Sequence, residues 1–133
     1  MSEELQAPIA RKSTLKCEKV AIVDDDPMIC TSLSKLIVGH LGMRHPAIAH
    51  AGEEIVDSVL NDGLSPDVIV MDYRLPNMNG IEASKIIAAS RPEIRIILAT
   101  SDASAKELAV SEGFGFLQKP FSLRGFVDAL TSK

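Results

Sequence analysis

Aspartates end two short apolar segments of the chain, where their carboxylates can bind a cation or attack phosphorus. Asp24 and Asp25 follow Val20–Val23, and Asp72 follows Val68–Met71. If the two segments are neighbouring strands, about 4.8 Å apart, these three carboxylates gather in one small basin. Like charges so placed do not all stay ionised unaided, and a hard divalent cation relieves them. An all-oxygen site of this kind suits Mg²⁺ or Mn²⁺ better than zinc, which prefers His or Cys.

Each aspartate taken alone has a structural explanation, because Asp is common in turns and at helix N-caps. We assign that role to Asp26, which precedes Pro27, a residue suited to the first helical position. Asp24, Asp25 and Asp72 all follow apolar strands. One functional cluster of carboxylates explains this shared position better than three separate helix caps do.

A hydroxyl and an ammonium also follow apolar segments. Thr100 comes after residues 94–99, and Lys119 after residues 114–118. The Lys119 ammonium could neutralise negative charge on a phosphoryl group, and the Thr100 hydroxyl could donate a hydrogen bond to one of its oxygens. An Asp can then be the nucleophile, giving an aspartyl phosphate, with catalysis consisting mostly of positioning and charge neutralisation.

Apolar runs of strand length alternate with segments of helical period, which predicts an α/β fold. The short β-branched runs are typical of parallel strands buried on both faces. Right-handed crossovers between them lead to a doubly wound, five-stranded parallel sheet with helices on both faces. Pro46 and the glycine-broken segment 114–118 place the strands at 44–50 and 114–118 at the sheet edges. We expect helices over residues 27–42, 55–63, 80–90, 104–111 and 123–130.

Composition indicates one ordinary soluble domain. The 133 residues are 46% hydrophobic and carry a net charge of −4, which argues against a nucleic-acid surface. We expect residues 1–18 to be a flexible tail and 19–133 the domain. The chain shows no apolar run long enough for a membrane span, and Cys17 and Cys30 have no metal or disulfide spacing, so we expect a cytoplasmic protein with reduced thiols.

Four motifs follow one another along the chain: Asp24-Asp25, the segment 71–80 (MDYRLPNMNG), Ala99-Thr100 and Lys119-Pro120-Phe121. In this order they resemble the receiver domain of two-component response regulators, in particular the single-domain, chemotaxis-regulator-like type. The resemblance covers about residues 19–131 and implies a flavodoxin-like sheet with strand order 2-1-3-4-5.

The resemblance implies a role for each motif residue. Asp72 would be the phosphoacceptor, and Asp25 a direct Mg²⁺ ligand. Asp24 would act on the metal mainly through water, and the backbone carbonyl of Arg74 would complete the metal site. Lys119, before a cis proline bond, would pair with phosphoryl oxygens, and Thr100 would bond the phosphoryl group on activation.

The implied partners are proteins. A sensor histidine kinase or phosphotransfer protein would donate the phosphoryl group, and a downstream target would bind the face made by the fourth helix, fifth strand and fifth helix. Phe116 matches the aromatic position that repacks with Thr100, but it lacks the hydroxyl of the frequent Tyr. Arg74 and Asp102 flank the phosphosite and would tune its lifetime, although by residue type alone they are solvated.

Two other functions compete with a phosphorylatable switch. Phosphohydrolases of the haloacid dehalogenase type also use a strand-end Asp, but residues 24–28 (DDDPM) lack the Thr or Val of their motif. A pseudo-receiver would bind partners without phosphorylation, and the intact Asp72, Asp25 and Lys119 speak against it. The chain ends about ten residues into the last expected helix, so it is either a stand-alone regulator or the front of a longer protein.

Overall fold

The computed structural model describes residues 19–131, which form one parallel sheet covered by helices on both faces. The tail expected at residues 1–18 lies outside the described residues. The strands are β1 (Val20–Val23), β2 (Ala47–Ala49), β3 (Val68–Asp72), β4 (Arg95–Thr100) and β5 (Gly115–Gln118). The helices are α1 (Pro27–Lys35, continued by a π-helical turn at Leu36–His40), α2 (Gly52–Leu60), α3 (Gly80–Ser90), α4 (Ala105–Ser111) and α5 (Leu123–Thr131).

The strand order is β2-β1-β3-β4-β5, and every adjacent pair is parallel. This confirms the doubly wound, five-stranded sheet predicted from the sequence. Both β1 and β3 are buried along their whole length, as expected for strands covered on two faces. The edge positions of β2 and β5 are confirmed, and β2 is shorter than predicted because Pro46 has no N–H for the ladder and precedes the strand.

Two apolar layers cover the two faces of the sheet. One layer packs α2, α3 and α4 against the sheet, with Ile55, Ile81 and Ala109 among its buried side chains. The other packs α1 and α5 against the opposite face through Ile37 and Phe126. The sheet is therefore packed on both faces, which fixes the positions of the carboxyl ends of its strands.

The helices α1 and α3 begin at capping side chains, and the sequence predicts the first of them, Asp26. The Asp26 side chain accepts a hydrogen bond from the Met28 N–H at 2.9 Å, so Asp26 is the N-cap of α1. Asn79 and Glu82 form a reciprocal capping box at the start of α3. The fourth helix is short, as predicted.

The end of the first helix differs from the prediction, because Leu36–His40 forms a wider π-helical turn rather than α-helix. The Leu41 N–H donates to the Leu36 carbonyl five residues back, and Gly42 then takes a positive φ of 64° that ends the helix. Periodicity does not distinguish this turn from α-helix, since Ile37 remains buried either way.

Within residues 19–131, no helix combines the length and apolarity needed to cross a membrane.

Gly80 allows the closest approach between a helix and the sheet near Asp72. Its N–H donates to the Tyr73 carbonyl at 2.8 Å. A Cβ at this position would overlap the Asp72 carbonyl oxygen and would lie 2.9 Å from the Tyr73 Cα. Backbone cannot yield as a flexible side chain does, so the start of α3 sets the position of the β3 end.

We expect Gly80→Ala to lower the free energy of unfolding by ~2–3 kcal/mol, because overpacking against backbone forces α3 away from β3. Urea unfolding measures this. Gly39→Ala is the matched control: a Cβ there meets no atom within 4 Å, so the change should be neutral or stabilising. Equal stability of the Gly80→Ala variant and the wild type would contradict the close approach.

Candidate functional site

The carboxylates of Asp24, Asp25 and Asp72 gather at the carboxyl edge of the sheet. One oxygen from each lies within 4.8 Å of the others. Because β1 and β3 are adjacent and in register, with Val23 opposite Met71, the residues that follow them meet side by side. Asp24 and Asp72 are buried, at 4% and 8% exposure, whereas Asp25 is exposed. The predicted cluster therefore exists, with one side open to solvent.

Lys119 bridges the two buried carboxylates. Its Nζ lies 2.9 Å from Asp24 Oδ2 and 3.4 Å from Asp72 Oδ1. The residue follows β5, and its backbone N–H donates to the Thr100 carbonyl at 2.9 Å, so the end of β4 anchors it. The Lys119-Pro120 peptide bond is cis, as the resemblance implied. One cation thus partly balances two buried anions.

The electrostatics of the site follow from burial and this charge crowding. Burial and the neighbouring Asp24 raise the pKa of Asp72, and the attraction of Lys119 only partly offsets them. Burial disfavours the charged form of Lys119, but the hydrogen bond to Asp24 and the charge of Asp72 outweigh it and raise the pKa of Lys119. Asp72 therefore carries a destabilised negative charge beside a firmly held positive one.

Both carboxylate oxygens of Asp24 accept hydrogen bonds. Its Oδ1 accepts a hydrogen bond from the Asp26 N–H at 2.9 Å, and its Oδ2 accepts one from Lys119. Its backbone N–H donates to the Ala49 carbonyl at 3.1 Å, which extends the pairing of β1 with β2 by one residue. Asp24 is thus fixed as part of the sheet edge.

Thr100, Arg74 and Asp102 surround the cluster. Thr100 is 2% exposed, and its hydroxyl oxygen accepts a hydrogen bond from the Asp102 N–H at 3.2 Å. The Arg74 side chain pairs with Asp102 at 2.9 Å, and the Arg74 backbone hydrogen-bonds to Asp72. Ser104 and Arg74 together lower the pKa of Asp102.

The donor atoms fit a hard divalent cation. All three side chains offer carboxylate oxygens, and the group includes neither sulfur nor nitrogen. Oxygen donors at this spacing, with one side open to water, match the chemistry of Mg²⁺ or Mn²⁺. Lys119 leaves part of the negative charge of the cluster unbalanced, which a cation would relieve.

The family model for the response regulator receiver domain matches residues 20–131. The chain belongs to this family. It resembles the response regulator GacA of Pseudomonas aeruginosa, with 28% identity over 115 residues, which cover 84% of this chain and 53% of that protein. It spans about half the length of GacA and of several other curated relatives that it matches.

Solved receiver domains share the fold. The chemotaxis response regulator CheY4 of Vibrio cholerae has a TM-score of 0.73 and 26% identity, over 84% of this chain and 94% of that one. The receiver domain of a sensor histidine kinase from Pseudomonas aeruginosa has a TM-score of 0.71 and 25% identity, over 85% and 93%. That structure holds a magnesium ion coordinated in its active site cleft.

The site residues predicted from the sequence lie together at the carboxyl edge of the receiver domain. Asp24, Asp25, Asp72 and Lys119 are in one cluster, and Thr100 ends the strand beside Asp72. Residue type alone favours solvated side chains for Arg74 and Asp102 and does not predict their pairing, although the resemblance places both beside the phosphosite. Their separation of 28 residues leaves no local signal for the contact.

We expect Asp72→Asn to raise the free energy of unfolding at pH 7 in EDTA by on the order of 1 kcal/mol, the usual scale of a single substitution, because burial and the neighbouring Asp24 both disfavour the ionised carboxylate. The folded state raises the Asp72 pKa above its ordinary 3.8, so the ionised carboxylate costs stability at neutral pH. That cost is absent below pH 3.8, where the gain should vanish. Urea unfolding across pH measures it.

The control for this prediction is Glu107→Gln, which removes an exposed carboxylate at the start of α4 and should change stability by less than ~0.5 kcal/mol. A less stable Asp72→Asn variant at pH 7 would show that the attraction of Lys119 exceeds the repulsion within the cluster.

Proposed function

We propose that Asp72 accepts a phosphoryl group from the phosphohistidine of a sensor histidine kinase or phosphotransfer protein, with Mg²⁺ or Mn²⁺ as cofactor. The observation that carries the proposal is the cluster of three carboxylates at the carboxyl edge, two of which pair with Lys119. Packing does not require it, since Asp24 and Asp72 are buried charges, and both burial and the repulsion of Asp24 destabilise the ionised Asp72.

In the proposed transfer, a carboxylate oxygen of Asp72 forms a bond to phosphorus while the P–N bond of the phosphohistidine breaks. The electron pair of that bond returns to the imidazole of the donor. The Lys119 ammonium, already 3.4 Å from Asp72 Oδ1, balances charge on the transferred oxygens. Thr100, beside Asp72 at the end of β4, offers its hydroxyl to one of them.

Four groups would hold the cation: the carboxylates of Asp25 and Asp72, the backbone carbonyl of Arg74, and Asp24 through water. The indirect role of Asp24 agrees with its geometry, because both of its carboxylate oxygens already accept hydrogen bonds. When bound, the cation neutralises the phosphoryl oxygens and the cluster. Without it, the carboxylates repel an incoming anion.

A downstream target protein would bind the face made by α4, β5 and α5. Leu108 and Val110 of α4 are 42% and 60% exposed, and Leu123 at the start of α5 is 42% exposed. Phe116 of β5 is half-buried and pairs with Leu98. A downstream target protein could cover these apolar side chains, and movement of Phe116 would change the surface that it meets.

Acetyl phosphate should add one phosphoryl group to the protein when Mg²⁺ or Mn²⁺ is present and none in EDTA. Intact-mass measurement detects the adduct. Asp72→Asn should abolish it. Asp26→Asn is the matched control, because it changes a neighbouring aspartate but preserves the cap of α1, and it should leave labelling intact.

Equal labelling in EDTA would contradict the metal requirement. No labelling of the wild type under any condition would favour a pseudo-receiver. Multiple turnover of a general phosphomonoester would instead favour a phosphohydrolase.

Beryllofluoride, a phosphoryl mimic, should change hydrogen-exchange protection mainly between residues 100 and 121. The mimic would draw the Thr100 hydroxyl toward it by a charge-assisted hydrogen bond, freeing space for Phe116. Thr100→Ala should lose most of the response, and Thr100→Ser, which retains the hydroxyl, should keep it. Protection changes confined to α1 and α2 would show that the protein signals through another face.

A further inference from the structure

Two side chains from outside β1 hold the backbone carbonyl of Asp24. The His50 Nδ1–H, from the residue after β2, donates to this oxygen at 2.9 Å. The Cys30 thiol of α1 donates to the same oxygen at 3.5 Å and lies 4.0 Å from His50 Nδ1. A thiol is a weak donor, so the imidazole makes the stronger of the two bonds.

The held carbonyl belongs to the peptide that joins Asp24 to Asp25. A peptide unit is planar, so the direction of its C=O also fixes the direction of the Asp25 N–H and the position of the Asp25 Cα. The N–H side of Asp24 is already fixed by Ala49. The orientation of the next peptide, and with it the start of the Asp25 side chain, therefore depends on what the carbonyl bonds.

Asp25 is the member of the cluster for which this matters most. Its side chain is exposed, whereas Asp24 and Asp72 are buried and share Lys119. Fixing the peptide that precedes Asp25 therefore restrains the one carboxylate of the cluster that is exposed to solvent.

We propose that His50 is a positioning residue for the cation site: by bonding the Asp24 carbonyl, it fixes the Asp24–Asp25 peptide and preorganises the Asp25 carboxylate. The proposal rests on the metal-dependent function proposed above. It needs a proton on Nδ1, which the imidazolium and one neutral tautomer both carry. His50 itself does not touch the cation or the phosphoryl group.

His45, which precedes β2 whereas His50 follows it, provides a matched control. Its Nδ1 lies 3.0 Å from the carbonyl of Pro46, the next residue, and thus makes a local contact. His45→Leu should therefore remove an imidazole without changing the Asp24–Asp25 peptide.

The first arm of the experiment uses the metal-free protein. Three His50 variants, to Leu, Gln and Asn, are compared by the amide chemical shifts of Asp25 and Asp26 in EDTA. Asn carries its amide nitrogen on Cγ, as Nδ1 is carried, and should keep the wild-type shifts. Gln places its nitrogen one bond farther out and, like Leu, should move them, while His45→Leu should not.

The second arm measures Mg²⁺ affinity by calorimetry. His50→Leu and His50→Gln should bind Mg²⁺ about three- to tenfold more weakly, the range expected for loss of one supporting hydrogen bond. His50→Asn and His45→Leu should stay within about twofold of the wild type. Thermal unfolding in EDTA verifies that each variant is folded, and Gln replaces Leu if the Leu variant is not.

The outcomes separate this proposal from the function on which it rests. Wild-type Mg²⁺ affinity in both His50→Leu and His50→Gln would overturn the role of His50, as would equal weakening by Asn and Leu. A wild-type protein that binds no Mg²⁺ would overturn the proposed metal site, and the metal-free shifts would still decide whether His50 orients the Asp25 peptide.

Discussion

Repulsion among the carboxylates at the end of β1 and β3 is the constraint on which the rest of the structure depends. Two of them are buried, and removing ionised groups from water costs more than a single ion pair ordinarily returns. Lys119 reaches both, but it enters from β5, two strands away from β3. The sheet must therefore keep the edge strand β5 at a fixed distance from the ends of β1 and β3. The two apolar layers provide that rigidity, since neither face of β1 or β3 is free to move.

Most of the fold could be predicted because its signals are local. Apolar runs of strand length and the capping residue Asp26 each act within a few residues. The carboxylate cluster could also be predicted, because parallel strands bring the residues that follow them to the same edge. The family resemblance added the order of the strands, which local patterns do not determine.

What could not be predicted depends on contacts across the sheet or on small changes in helix geometry. The bond from His50 to the Asp24 carbonyl requires the register of β2 against β1, in which Ala49 pairs with Val23. The π-helical turn at Leu36–His40 keeps Ile37 in the core and therefore leaves the apolar pattern unchanged. The His50 bond and the π-helical turn are both determined by tertiary packing rather than by neighbouring residues in the sequence.

The loop 74–79 leaves Tyr73 and returns to it, because the Gly80 N–H closes on the Tyr73 carbonyl at 2.8 Å. Its tip includes Asn77, whose φ of 67° suits Asn or Gly. Leu75 of the loop is buried in the core, whereas Pro76 and Asn77 at its tip are exposed. Substitutions at these two exposed positions would therefore change the surface beside the site while Asp72 stays in place.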